Sequence, residues 1–152
     1  MIGAGCDLHT EVERKTRFLM AGIVPGRTAG ESVGVRLAMF SPLPAGARVS
    51  VTHDNGAGFA RHTRLRDGLG MDTYFADPYS SRRRGSNENR NCMIRRYLPK
   101  RSEIRMGMAG ELREIVDEAD NRPMRVLDYR TPAEAFADEL LELQDQQGVL
   151  HL

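Results

Sequence analysis

The sequence predicts an α/β fold that ends in a helical C-terminal extension, and three observations predict it. Strand-like segments come first, strands then alternate with helices, and helices finish the chain, an order typical of layered α/β domains. Of the 152 residues, 40% are hydrophobic and 28% charged, which fits one globular domain with a modest core. The longest apolar run, Phe18 to Val24, is far shorter than a membrane span and is closed by Pro25-Gly26.

The elements follow in order. "VERKTRFLMAGIVPGRT" reads as two strands around a charged turn, the first ending at Val12 and the second running from Arg17 to Val24. "TAGESVGVRLAMFSPLP" places Val33, Leu37 and Phe40 at helical spacing, with Thr28 as N-cap and Pro42 as stop. "ARVSVTHD" alternates Val49 and Val51 inward with Ser50 and Thr52 outward, a strand that ends at Asp54. "FARHTRLRDGLG" is a short helix closed by glycine, "MDTYFAD" a short strand, and "PYSSRRRGS" a loop. "NENRNCMIRRYL" is a helix capped by Ser86, with Met93, Ile94, Tyr97 and Leu98 as its apolar face. "AGELREIVDEADNRP" and "TPAEAFADELLELQ" are two further helices, and Pro132 suits a first helical turn after Thr131.

Net charge is only +1, yet the charges are segregated. Residues 79–105 carry nine basic and two acidic residues, 9 − 2 = +7, and residues 106–152 carry four basic and eleven acidic, 4 − 11 = −7. A basic stretch of this kind suits a polyanion, or it pairs with the acidic tail, or it is a solvated face. Two cysteines, Cys6 and Cys92, lie far apart and read as free thiols in a reducing compartment. The N-terminus has neither the basic nor the apolar region of a secretory signal.

Candidate chemistry centres on three residues. Asp54 falls at the carboxyl end of a strand, where open α/β sheets place their sites. Asp54-Asn55-Gly56 is equally the composition of an ordinary tight turn. Glu88 lies in the first turn of a later helix, and two carboxylates so placed can share a magnesium ion. Arg95 is seven residues after Glu88 and so on the same helical face, where it can hold a DNA phosphate. The alternative is an exposed, solvated helix face. His9, His53, His62 and His151 show no ligand spacing, and the eight methionines, including Met106 and Met108, read as core or surface.

Several motifs occur together in one order. They are "VERKTRF", "VTHDNGAGF", Phe75-Ala76-Asp77-Pro78-Tyr79, Arg84-Gly85-Ser86-Asn87-Glu88-Asn89, Asn121-Arg122-Pro123 and Thr131-Pro132-Ala133-Glu134. From about Val12 to Leu140 the chain resembles the insertion-sequence-thirty family of DDE transposases, which share the integrase catalytic core. The resemblance implies a ribonuclease-H-like fold and two-magnesium chemistry that cleaves and transfers DNA strands. It implies Asp54 and Glu88 as catalytic metal ligands and Arg95 as the basic residue along the same helix. Asn87 and Arg82, Arg83 and Arg84 are read as further candidate DNA contacts, the three arginines on a loop that is mobile in the family. The implied partners are DNA and a second copy or full-length transposase, with no membrane and a cytoplasmic, nucleoid-associated location.

The departures from the family are specific. The first catalytic carboxylate belongs on an opening strand some way before Val12, so the ribonuclease-H-like core is read as lacking that strand. Asp7 is the one aspartate ahead of Val12, and "GAGCDLHTE" does not read as the opening strand, so that role is not carried onto it. Gly58 stands where the family has glutamate, Ser81-Arg82-Arg83 replaces a Pro-Trp-Gln type sequence, and the family's N-terminal helix-turn-helix is read as missing from these 152 residues. The organisation expected is a leader at 1–11, an incomplete integrase-like core at 12–105 and a helical extension at 106–152. Two functions follow: a metal-dependent DNA strand-transferase fragment, or an inactive remnant that binds DNA or a partner transposase. An incomplete sheet also exposes backbone groups, so low stability and aggregation are expected.

Overall fold

The computed structural model describes residues 5–26, 28–53, 63–75 and 85–149. The chain runs β1 (Asp7–Val12), β2 (Leu19–Val24), α1 (Ala29–Phe40), β3 (Ser50–His53), α2 (Thr63–Leu69), β4 (Asp72–Phe75), α3 (Gly85–Tyr97), α4 (Ala109–Asp120) and α5 (Pro132–Val149). Single 3-10 turns lie at Ala45–Ala47, Met106–Met108 and Arg125–Leu127. Among the described residues no helix is long and apolar enough to cross a membrane.

The strands form two two-stranded sheets. β1 pairs antiparallel with β2, Asp7 opposite Val24 and Val12 opposite Leu19. β3 pairs parallel with β4, Ser50 opposite Asp72 and His53 opposite Phe75. Helices cover both faces. On one side Phe40 of α1, Val51 of β3, Leu65 of α2 and Met71 form a buried cluster, joined by Met20 of β2. On the other, Leu19 of β2, Ile94 of α3 and Ala119 of α4 form a second, with Leu8 and Val12 of β1 against it. The period of two explains the split: Leu19 and Ala21 face α3 and α4, and Met20 faces α1.

The turn between β1 and β2 is built on Glu13. Its carboxylate accepts from the Lys15 amide at 3.1 Å and from the Thr16 amide and hydroxyl, each at 2.6 Å. Burial pushes the Glu13 carboxyl up, but the Thr16 hydroxyl and the turn amides outweigh it and hold it below the ordinary carboxylate range. Arg17 takes a left-handed φ of 63°, and the Glu13 amide donates to the Phe18 carbonyl at 2.9 Å to close the turn. Phe18 then stacks on Phe136 with ring centroids 4.2 Å apart, and Lys15 pairs with Glu139, which docks α5.

The helix ends follow the expected chemistry. Thr28 caps α1 in a reciprocal box with Glu31, as expected. At α5 the Thr131 hydroxyl accepts from the Glu134 amide at 3.1 Å, and the Glu134 carboxylate accepts from the Thr131 amide at 2.9 Å. Gly70 closes α2 with a φ of +67°.

Four expectations are corrected. The second strand starts at Leu19, because Arg17 belongs to the left-handed turn. Val49 does not point inward; it is 63% exposed and precedes β3, its carbonyl accepting from the Asp72 amide. Ser86 is not the cap of α3, because the helix already includes Gly85. Tyr97 leaves the apolar face of α3 and lies at the surface, where its hydroxyl donates to Glu118. The expected helix start at 59–62 lies outside the described residues.

Two glycines test this packing with opposite signs. A Cβ at Gly22 of β2 would sit 2.6 Å from Cγ1 of Val35 on α1, a short branched side chain held on a helix. Gly22→Ala is expected to cost about 1–3 kcal/mol through overpacking. A Cβ at Gly34, on the exposed side of α1, meets nothing within 4 Å. Gly34→Ala is expected to add about 0.5–1 kcal/mol of stability by removing unfolded-state freedom. Urea unfolding of the two variants against the parent chain checks both, and equal shifts would contradict the close approach of α1 to β2.

Candidate nucleic-acid and metal site

The candidate residues depend on how α3 is held. Arg90 is 1% exposed, and its guanidinium pairs with Asp120 at the end of α4, which is 2% exposed. Arg90 Nη1 also donates to the Ala119 carbonyl at 3.1 Å. Asp120 in turn accepts from the Leu19 amide of β2 at 3.0 Å. One buried pair thereby joins α3, α4 and β2. A second polar tie lies on the face of β1 toward α3, where the Thr10 hydroxyl donates to Asn91 Oδ1 at 2.7 Å.

Helical geometry converts this inward anchoring into an outward presentation. Arg90, Ile94 and Leu98 recur every four residues on the buried side. Glu88, Cys92, Arg95 and Arg96 are exposed on the other. Glu88 and Arg95 are separated by seven residues, roughly 10 Å along the axis. The helix thus presents a carboxylate near its start and two guanidiniums near its end on its solvent side, as the spacing predicts. The basic surface continues through the exposed Lys100, Arg101 and Arg105, the last paired with Glu103.

The other expected residues have different standing. Asp54 directly follows His53, the last residue of β3, and lies outside the described residues, as do Arg82, Arg83 and Arg84. Asn87 is within the first turn of α3, and its side chain is outside the described set. Asp7 begins β1, opposite Val24. Among the described residues no group of three His, Cys, Asp or Glu side chains could hold a metal ion. Of the two expected ligands Glu88 alone lies within the described residues, as an exposed oxygen donor, so the described residues do not by themselves make a metal site. Both cysteines are free.

Charge counting misjudged Arg90 and overlooked three further residues. Arg90 was counted with the polyanion-binding stretch, but it is an internal counterion; its spacing with Ile94 and Leu98 was the available signal. Asp120, Thr10 and Asn91 carried no signal in the sequence. A further buried set lies on the α1 side of β1. Arg36 Nε donates to His9 Nε2 at 2.7 Å and sits 3.3 Å from Glu11, while His9 is 2.8 Å from Glu11. Burial lowers the Arg36 guanidinium to about 10 against the pull of Glu11. The basic stretch and the acidic tail are joined by the Arg90–Asp120 pair, by the bond from Arg90 to the Ala119 carbonyl and by the Tyr97–Glu118 bond.

The chain resembles known proteins in sequence and in fold. No family model matches the chain. A transposase for insertion sequence element IS1086 from Cupriavidus metallidurans is 33% identical over 138 residues, 91% of this chain and 41% of that protein. Transposase InsI for insertion sequence element IS30A from Escherichia coli is 37% identical over 130 residues, 84% of this chain and 33% of its own length. A transposase for IS4351 from Bacteroides fragilis is 39% identical over 87 residues, 57% of this chain and 27% of that protein. The chain therefore spans roughly a third to two-fifths of the first two relatives. In structure it is similar to the catalytic core domain of BIV integrase, with a TM-score of 0.65 over 93% of this chain and 90% of that one at 17% identity. It is also similar to a chain of the simian T-cell lymphotropic virus intasome solved with the PP2A regulatory subunit B56 gamma, with a TM-score of 0.66 over 86% of this chain and 48% of that one, again at 17% identity. These likenesses show an integrase-core, ribonuclease-H-like fold, as the sequence predicts.

The buried pair that holds α3 makes a testable linkage. Burial pushes the Asp120 carboxyl up to about 6, against the Leu19 amide and Arg90, which pull it down. Burial likewise lowers the Arg90 guanidinium despite its carboxylate partner. Desolvation therefore outweighs attraction at both ends of the pair. Because the folded value of Asp120 lies above the ordinary 3.8, this group's contribution to stability is full below about pH 4 and lost as pH rises through about 6. Arg90→Met strands the carboxylate and is expected to cost about 3–5 kcal/mol at neutral pH, with a smaller loss near pH 4. The double variant Arg90→Met/Asp120→Leu is expected to recover that loss and gain up to about 4 kcal/mol. Denaturant melts at the two pH values test this, and a double variant as unstable as the single would refute it.

Proposed function

Because this chain shares its family with the insertion-sequence-thirty transposases, we propose that it is the catalytic-domain part of a DDE transposase, acting in metal-dependent cleavage and transfer of DNA strands. The observation that carries this reading is sustained identity. A third or more of the residues match transposases over 84–91% of the chain, on a fold like that of integrase catalytic cores.

The proposed roles belong to named side chains. Arg95 and Arg96, on the exposed side of α3, bind and orient the phosphates on either side of the reacting one. Lys100 and Arg101 extend that track and contribute a salt-dependent, sequence-independent part of the affinity. Arg82, Arg83, Arg84 and Asn87 are assigned further contacts with the same strand. Asp54 and Glu88 are the proposed magnesium ligands, and the ion they hold would supply charge neutralisation at the phosphodiester. The partner class is DNA, and association with the chromosome follows from it.

Two measurements test the reading. With a DNA duplex carrying a matched element end and magnesium or manganese, strand cleavage is expected, and Asp54→Asn or Glu88→Gln should abolish it while leaving DNA affinity within about twofold. Arg95→Ala/Arg96→Ala should weaken DNA binding and lower the salt slope by about one unit per lost phosphate contact. DNA binding without cleavage in the parent chain would support the binding-only reading instead. A salt slope unchanged by the double alanine variant would remove α3 from the interface.

A further inference from the structure

We propose that the loop from Arg122 to Arg130, between α4 and α5, is a further DNA-binding site that carries the cationic track of α3 onward. The first observation is where its charge lies. Residues 106–152 are acidic overall, yet three of their four basic residues, Arg122, Arg125 and Arg130, fall within this loop, where Asp128 is the one acidic residue. Two motifs that the site above leaves without a role, Asn121-Arg122-Pro123 and Thr131-Pro132-Ala133-Glu134, bracket it. They fix its ends. The Asn121 side chain donates to the Asp117 carbonyl at 2.8 Å at the close of α4, and Thr131 and Glu134 cap α5.

The second observation is that the loop is closed on itself. The Met124 amide donates to the Arg130 carbonyl at 3.0 Å, and the Met124 carbonyl accepts from the Leu127 and Tyr129 amides, each at 3.0 Å. The Asp128 amide donates to the Arg125 carbonyl and the Arg130 amide to the Leu127 carbonyl, each at 3.1 Å. Asp128 and Tyr129 take left-handed φ values of 54° and 64°. Aspartate tolerates that conformation, but for a bulky ring it is an outlier, and such outliers cluster at functional sites. Here the outlier leaves Tyr129 71% exposed. On the inner side Met124 Sδ accepts from Arg90 Nη1 at 3.9 Å, so the loop is seated on the guanidinium that also fixes α3.

The third observation joins the loop to α3. Glu118 Oε1 accepts from the hydroxyl of Tyr97, the last residue of α3, and from Arg122 Nη2 at 3.3 Å. The bond to Glu118 pushes the Tyr97 hydroxyl above its ordinary value, while Arg122 and Arg96 both pull it down. Arg96 of α3 and Arg122 of the loop therefore act on one phenol. An exposed ion pair holds its arginine weakly, so a phosphate can take Arg122 over from Glu118. Arg125 is exposed and pairs with no carboxylate among the described residues, and the Tyr129 hydroxyl is a neutral donor of a kind that phosphates accept from. Arg130 is committed to Asp138 of α5. A DNA backbone lying along the guanidiniums of α3 then meets Arg122 and Arg125 on a surface that is already ordered. The proposal rests on the DNA-binding reading of α3 and does not require catalysis by this chain.

The test measures binding of the whole chain to a fluorescent DNA duplex over a range of salt, without divalent metal so that no strand is cut. Arg122→Ala/Arg125→Ala is expected to weaken binding and to lower the slope of log affinity against log salt by about two units, one per phosphate contact. Tyr129→Phe is expected to weaken binding with the slope unchanged. Glu118→Gln removes a carboxylate from the path and is expected to tighten binding, a gain that a damaged fold cannot produce. Arg113→Ala, at the remaining basic residue of the acidic segment, is expected to leave the slope unchanged. Loop variants that bind like the parent chain, or an Arg113 variant that weakens binding as much as they do, would overturn the proposal. So would loop variants that keep DNA affinity but change the oligomeric state, which would make the loop a protein contact. If the loop variants keep the parent's slope while Arg95→Ala/Arg96→Ala lowers it, this inference fails and the reading of α3 stands. If the loop variants lower the slope and the parent chain cuts nothing once magnesium is added, this inference stands without the catalytic reading.

Discussion

The buried contact among Arg90, Asp120 and the Leu19 amide is the constraint that the rest of the structure depends on. It brings two charges out of water and recovers only part of that cost, since burial dominates the titration of both partners. What it provides is registry. An apolar contact between α3 and α4 would tolerate rotation or sliding, because Leu, Ile and Val surfaces are interchangeable at small displacements. A guanidinium that must reach a carboxylate, a carbonyl and, through the carboxylate, a strand amide permits one rotation of α3. That rotation decides which residues of α3 face solvent.

Local polar devices repeat this logic around the fold. Glu13 organises the β1–β2 turn by accepting three hydrogen bonds, and the Phe18 ring leaving that turn becomes the anchor for Phe136 of α5. Thr10 meets Asn91 on one face of β1 while His9 and Glu11 meet Arg36 on the other. β1 therefore carries polar side chains into both helix layers. Such a strand is poorly suited to an exposed edge and well suited to a central position, where each polar group finds a fixed partner.

Much of the fold was legible because its signals were local. Thr28 with Glu31 three residues on, Pro132 after Thr131, and glycine after Leu69 are chemistry confined to one turn. The alternation in "LMAGIV" and the helical spacing of Val33, Leu37 and Phe40 are likewise short-range. The errors have long-range causes. Val49 fits a strand pattern, but β3 starts only where it pairs with Asp72 of β4, so Val49 is left outside. Tyr97 fits an apolar face, but its hydroxyl is better satisfied by Glu118 at the surface. The outward placement of Glu88 and Arg95 was readable from spacing alone, whereas Asp54 falls outside the described residues and its geometry stays with the sequence argument.

Arg90 shows why charge segregation is an incomplete guide to function. The segment 79–105 is basic by count, and one of its nine cations is spent on holding the helix rather than on a ligand. The same internal use explains why the neighbouring cations are available. Since α3 is fixed by Arg90 and Ile94 on its inner side, Arg95 and Arg96 have no counterion within the described residues and face water from a rigid support. A polyanion meeting them loses little in ordering the protein, because the packing of α3 has already ordered it. Fold and surface charge are coupled through one helix: residues four apart bury a charge while residues on the opposite side keep theirs exposed.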